Sequence, residues 1–216
     1  VDFSAEMERT LSVLDCAILV VSGSDGVQGH THTLWRLLER YQVPTFLFIN
    51  KMDLPGADRG ELLARLREQL DEGCADFLDR PALYEQAALC DEGLLEDYLE
   101  HGSVPDAALT ALIAQRKLFP CWFGSALRLE GVADFLQGLE QYAPRPVYPA
   151  HFGARIFKIS RDEQGARLAW MKITGGSLKV KTLLEGPGWQ DKADQLRVYS
   201  GRKFQPAEEA PAGPGL

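Results

Sequence analysis

The sequence predicts an α/β fold: a parallel sheet flanked by helices, followed by a small antiparallel β-barrel that is incomplete. Two apolar runs, C-A-I-L-V-V-S over Cys16–Ser22 and V-P-T-F-L-F-I-N over Val43–Asn50, are continuous and too short for confident helices. Their β-branched and aromatic content suits strands buried on both faces. Between them Leu34, Leu37, Leu38 and Tyr41 recur at helical spacing, which makes a βαβ unit with a right-handed crossover. After a Pro-rich connector, Ala143–Pro149, the grammar changes to short strands separated by glycine turns, the texture of a small barrel.

Each element has its own signal. Phe3, Met7, Leu11 and Leu14 share one face of an opening helix, and Ser4, Glu6 and Glu8 suit its capped, acid-rich first turn. The first strand ends in the turn cluster S-G-S-D-G, residues 22–26. Leu63, Leu66 and Leu70 define a helix after the second strand, with Glu61 and Arg65 four residues apart on its outer side. Residues 74–117 read as a helical insertion, with Leu94, Leu95, Tyr98 and Leu99 in one helix. Pro105 opens another through Leu109, Leu112 and Ile113. Leu118–Phe123 is a third strand, and Val132, Phe135, Leu136 and Leu139 mark the helix after it. The domains expected are therefore residues 1–143, a linker over 144–150, and an incomplete barrel over 151–216 with strands at Gly153–Ile159, Arg167–Thr174, Ser177–Val180 and Gln195–Tyr199.

Composition is ordinarily globular, with 45% hydrophobic and 25% charged residues in a chain of 216. No apolar run approaches the roughly 20 residues of a membrane span, and no secretory signal is seen, so a cytoplasmic location is expected. The net charge of −8, without a long basic run, argues against independent nucleic-acid binding. Cys16, Cys74, Cys90 and Cys121 form no C-x-x-C pair and read as reduced thiols. His30 and His32, two apart at a helix start, point to different faces and make a poor metal pair. Asp2 and Glu6 read as helix-terminus carboxylates, and Trp170 and Trp189 as barrel core or edge, since no basic groove accompanies them.

The chemistry is concentrated where the second strand runs into Asn50-Lys51-Met52-Asp53. Ligand loops in open α/β sheets lie beyond the carboxyl ends of their strands. A carboxylate at Asp53 can accept from both N1–H and the exocyclic amine of guanine, whereas adenine offers an acceptor there and would leave the charge unpaired. The stem of Lys51 can lie along the base plane, and the amide of Asn50 can tie neighbouring loops together. Gly124-Ser125-Ala126-Leu127 follows the third strand as the second half of such a site. There the backbone N–H groups of Ser125 and Ala126 are expected to donate to the guanine carbonyl. The guanine-binding residues read from the sequence are thus Asn50, Lys51, Asp53, Ser125, Ala126 and Leu127, and none is read as catalytic.

These motifs resemble a translational GTPase. V-D-F-S-A-E-M-E-R-T-L-S-V-L-D, D-G-V-Q-G-H-T-H-T-L-W, N-K-M-D, G-S-A-L and, in the second domain, I-F-K-I-S followed by W-M-K-I-T-G-G-S-L-K carry the likeness over nearly the whole chain. The closest groups are elongation factor G and the tetracycline-resistance ribosomal protection proteins. The compact insertion between Asp53 and Gly124 and the approach L-F-P-C-W-F-G-S-A favour the second. The resemblance implies a partial P-loop GTPase-type sheet, GTP or GDP as ligand, the ribosome as partner, and an opening helix that serves as the second switch. The family's G-x-x-x-x-G-K-[ST] motif does not occur in this chain. By resemblance the phosphate loop, the Mg2+ ligands and the catalytic histidine lie upstream of Val1. The chain is expected to be a piece of a GTPase that hydrolyses nothing alone and binds guanine weakly. Its first strand, lacking a neighbour, would invite self-association. Elongation factor G itself, or a non-catalytic guanine-binding module, are the other readings.

Overall fold

A computed structural model describes residues 5–186, 188–201 and 203–213. It divides into two compact units, Leu14–Arg145 and a second made of Val1–Val13 with Pro146–Leu216. The opening helix, α1 (Ala5–Leu11), thus packs with the second unit, whereas the sequence reading counts it with the first. The capping pattern expected of Ser4 and Glu6, and the role given to Asp2, lie outside the described residues.

The first unit is a three-layer α/β sandwich. Its parallel strands are β1 (Ala17–Ser22), β2 (Thr45–Asn50), β3 (Cys74–Asp76) and β4 (Phe119–Phe123), in the order β1-β2-β4-β3. The central strands bury both faces, and the pleat sends alternate residues to opposite layers. Phe46, Phe48 and Trp122 enter one core with Leu83, Leu109, Ile113, Phe135 and Tyr142. These last five come from α4 (Arg80–Ala88), α6 (Asp106–Ala114) and α7 (Val132–Tyr142). Leu47, Ile49, Cys121 and Phe123 enter the other core with Trp35, Leu62 and Leu66 of α2 (Gly29–Arg40) and α3 (Arg59–Gln69). Helix α5 (Glu92–His101) completes the insertion and has no buried residue.

Several expectations hold. Glu61 and Arg65 pair across the outer face of α3 at 3.7 Å. Pro105 stands at the N-cap of α6. Others need correction. Residues 74–117 are not purely helical, because Cys74–Asp76 adds a fourth parallel strand beside β4. The first apolar run is not buried on both faces: β1 pairs only with β2 among the described residues, and Ile18 and Val20 are 46% and 59% exposed. Leu136 is exposed, since the buried stripe of α7 runs through Phe135, Gly138 and Tyr142. Cys74 and Cys121, distant in sequence, meet in the core as free thiols. Burial, and then the Cys74 thiol beside it, pushes the Cys121 thiol well above its ordinary range.

The second unit is built of antiparallel pairs. β5 (Gly153–Arg161) pairs with β6 (Arg167–Gly175), and β7 (Ser177–Lys179) with β12 (Glu209–Pro211). β8 (Leu183–Gly186) pairs with β9 (Trp189–Lys192), and β10 (Leu196–Ser200) with β11 (Lys203–Ala207). Of these, β8, β9, β11 and β12 carry no distinct sequence signal. Trp170 lies tilted against Tyr199 with ring centroids 4.5 Å apart and donates to Ser160 Oγ, whereas Trp189 is 45% exposed. Arg155 and Lys172, partners across β5 and β6, donate to Ser12 O and Val13 O just beyond α1, where cations suit a helix C-terminus. Among the described residues no helix is long and apolar enough to cross a membrane.

Gly138 is the tightest joint of the first unit, since a Cβ there would lie 2.1 Å from the Trp122 ring. Gly138→Ala is expected to destabilise the fold by about 1–3 kcal/mol despite alanine's better helix propensity, because neither backbone nor indole can retreat cheaply. Thermal unfolding measures this, and a melting temperature at or above that of the parent would refute it.

Candidate functional site

Three loops leave the sheet at the same edge because the strands are in register, with Ser22 opposite Asn50 and Ile49 opposite Phe123. The carboxyl ends of β1, β2 and β4 therefore deliver S-G-S-D-G, N-K-M-D and G-S-A-L side by side, where open α/β sheets bind ligands.

Asn50 joins the second and third of these. Its Oδ1 accepts from Lys51 N–H and from Ala126 N–H, both at 2.8 Å. Met52 N–H donates to Gly124 O at 3.0 Å, a second tie between the same loops. Gly23 N–H donates to Asn50 O at 2.7 Å, and a Cβ at Gly23 would lie 2.9 Å from Met52 Sδ. A side chain there would press on Met52 and on Asn50 O, so glycine eases the approach of the first loop. Lys51 has φ +65°, a left-handed conformation that costs a residue with a Cβ about 1 kcal/mol or more. The bond to Asn50 Oδ1 helps to hold it.

Asp53 is largely enclosed, with its side chain 11% exposed. The hydroxyl of Ser125 holds its carboxyl below the ordinary carboxylate range, burial opposes this, and its own backbone amide and Arg128 add to the lowering. Arg128 Nε stands 3.6 Å from Asp53 Oδ2, an ion pair longer than a hydrogen bond.

The third loop closes on itself. Ser125 and Glu130 exchange N–H···O bonds at 3.0 Å in both directions. Gly124 and Gly131 allow this, since Cβ atoms there would lie 2.2 Å from Glu130 O and 2.6 Å from Phe123 O. Ser125 N–H donates to Glu130 O and Ala126 N–H to Asn50 Oδ1, so both N–H groups expected to face the guanine carbonyl have partners within the two loops. Ser125, 1% exposed, acts through its hydroxyl on Asp53 instead. Leu127 is 89% exposed on the outer turn of the loop. The six residues read from the sequence thus lie on two loops joined by Asn50. Sequence reasoning placed Gly23 in a turn cluster without linking it to this site, and missed Arg128, Glu130 and Gly131.

The family model of the elongation factor Tu GTP binding domain matches residues 1–145. Elongation factor G 2 of Geobacter metallireducens is 28% identical and elongation factor G 1 of Geobacter sulfurreducens 29%, each over 287 aligned residues that cover 99% of this chain. The chain spans 42% of the length of these relatives. A crystal structure from Thermus thermophilus superposes with a TM-score of 0.82 at 25% identity, over 98% of this chain and 39% of that one. With two-thirds of its length matched in this way, the chain belongs to the elongation factor Tu GTP-binding-domain family, that of the translational GTPases.

Proposed function

We propose that this chain carries the guanine-reading half of the GTP site of a ribosome-dependent translational GTPase. Leu14–Arg145 would then be the C-terminal part of its G domain, and the antiparallel pairs part of its barrel domain. The observation that carries the reading is the Asn50 amide tying N-K-M-D to G-S-A-L with Asp53 beside Ser125. Asp53 accepts from guanine N1–H and the exocyclic amine, two charge-assisted bonds of about 1.5–3 kcal/mol each. The NH2 of Asn50 makes no hydrogen bond to a described residue and suits the O6 and N7 acceptors of guanine. Lys51, Ala126 and Leu127 supply the walls of the base slot.

These residues fit the base. Among the described residues no three His, Cys, Asp or Glu side chains gather to hold a metal, so no step is assigned to Mg2+. Phosphoryl transfer depends on groups around the phosphates, which the family carries in motifs this sequence does not contain.

Within the family we read the parent as most like the tetracycline-resistance ribosomal protection proteins, cytoplasmic factors that dislodge the drug from the ribosome. The compact insertion between Asp53 and Gly124 and the L-F-P-C-W-F-G-S-A approach are the sequence features that support this reading. Elongation factor G is the second reading, favoured by the names of those relatives. Conferral of tetracycline resistance by the parent gene, against rescue of translocation, separates the two.

Asp53→Asn should abolish the preference for GMP over AMP and admit XMP, whose C2 carbonyl an amide can donate to; NMR titration of both variants reads this, and retained GMP preference would sink the base assignment. The 216-residue chain should release no phosphate from GTP above a buffer blank. The exposed side chains of Ile18 and Val20 on the edge strand β1 support self-association through that edge. Sedimentation should show mass above the monomer that grows with concentration, and a strictly monomeric profile would count against it.

A further inference from the structure

We propose that Arg59 is a positioning residue for the guanine-reading carboxylate, latching the far end of its loop to the sheet; the inference rests on the guanine reading above. The loop of residues 51–58 is pinned at its near end by Met52 N–H on Gly124 O and by the amide of Asn50. Asp53 lies inside it. Beyond Asp53 the loop's own bonds are turn contacts, Leu54 N–H to Lys51 O at 3.2 Å and Ala57 N–H to Leu54 O at 3.4 Å. Its far end is therefore held by whatever anchors the start of α3.

Arg59, the first residue of α3, is the anchor nearest the loop, one turn ahead of the buried Leu62 and Leu66. Its guanidinium forks onto Asp76, Nε to one carboxylate oxygen and Nη2 to the other, and stands over the Phe123 ring with 5.1 Å to the centroid. Asp76 ends β3, and Phe123 ends β4 immediately before Gly124 and Ser125. One side chain thus ties the end of the base loop to two strands, including the strand that delivers the partner loop. The Asp76 side chain is only 9% exposed, and its Oδ1 also accepts from Leu78 N–H at 3.0 Å, so the acceptor is itself fixed. A planar fork that meets a fixed carboxylate and an aromatic face sets direction as well as distance, which a lysine ammonium cannot do. Asp53 must present two oxygens to two guanine donors at once, so it depends on loop orientation more than on loop presence.

The test compares dissociation constants for GMP, IMP and AMP by NMR titration of the 15N-labelled 216-residue chain. IMP keeps N1–H but lacks the exocyclic amine, so the ratio of IMP to GMP constants reports whether Asp53 engages both donors. Two variants are used: Arg59→Lys, and Arg59→Met combined with Asp76→Asn. In the double variant the thioether stem still covers Phe123, the amide still accepts from Leu78 N–H, and no charge is left unpaired. Both should remain folded, as their spectra report, and both should lose about fivefold or more of the IMP-to-GMP ratio, the size of one weakened charge-assisted bond. A folded double variant with the parental ratio would overturn the latch. A parent chain with no preference for GMP over AMP would overturn the guanine reading itself, and the latch with it. A parent that prefers GMP beside unchanged variants overturns the latch alone.

Discussion

The carboxyl edge of the sheet depends on one amide oxygen. Asn50 Oδ1 takes two backbone N–H groups, one from its own loop and one from a loop seventy-six positions further along the chain. Each bond is worth only about 1 kcal/mol net. Lys51 and Ala126 are exposed, so the pairing of the two loops rests on both bonds together with the strand register beneath them. Lys51 bears the consequence, a left-handed backbone that few residues other than glycine adopt. Strain of this kind persists where the surroundings over-determine it, and here the strand register, the Met52–Gly124 bond and the Asn50 amide all act within four residues.

Such a hinge needs a rigid mount, which the sheet supplies through its two-sided burial. Phe46 and Phe48 point into one core and Leu47 and Ile49 into the other, so β2 cannot shift by one residue without exchanging its faces. On β4, Trp122 fills the space that Gly138 leaves in α7, while Phe123 turns to the opposite layer. β1 is the exception: one face packs through Leu19 and Val21, and the other shows Ile18 and Val20 to solvent. The strands that carry N-K-M-D and G-S-A-L are thus the two most firmly held.

What is legible in the sequence follows the range of each signal. Continuous apolar runs mark β1, β2 and β4, and the dense local motifs mark both loops, because each needs only neighbours in sequence. β3 escapes such a reading since three residues, C-A-D, are too few to carry a period. β1 looks doubly buried in the sequence because a run of apolar residues cannot report how many neighbours its strand will find. The partners of the Ser125 and Ala126 N–H groups are illegible for a related reason: Glu130 and Asn50 reach them only once the chain closes. Arg128 and Arg59 are invisible because an arginine after a loop is ordinarily a solvated charge, and only the fold shows which carboxylate it meets.

Those two arginines separate two aspartates by environment. Asp76 gives both oxygens to the Arg59 fork, and one of them also accepts from Leu78 N–H. Its acceptor capacity is spent on structure. Asp53 meets a cation as well, but Arg128 is 58% exposed and stands at 3.6 Å, beyond hydrogen-bond reach. The main influence on its carboxyl is the neutral Ser125 hydroxyl, which favours ionisation. A carboxylate has roughly four acceptor positions. Asp53 therefore favours the charged form with acceptors to spare, the state that the proposed base reading calls for. Moving the Arg128 guanidinium to bidentate contact would lower the Asp53 pKa further and fill those acceptors. The long ion pair is thus as much a part of the site as the carboxylate beside it.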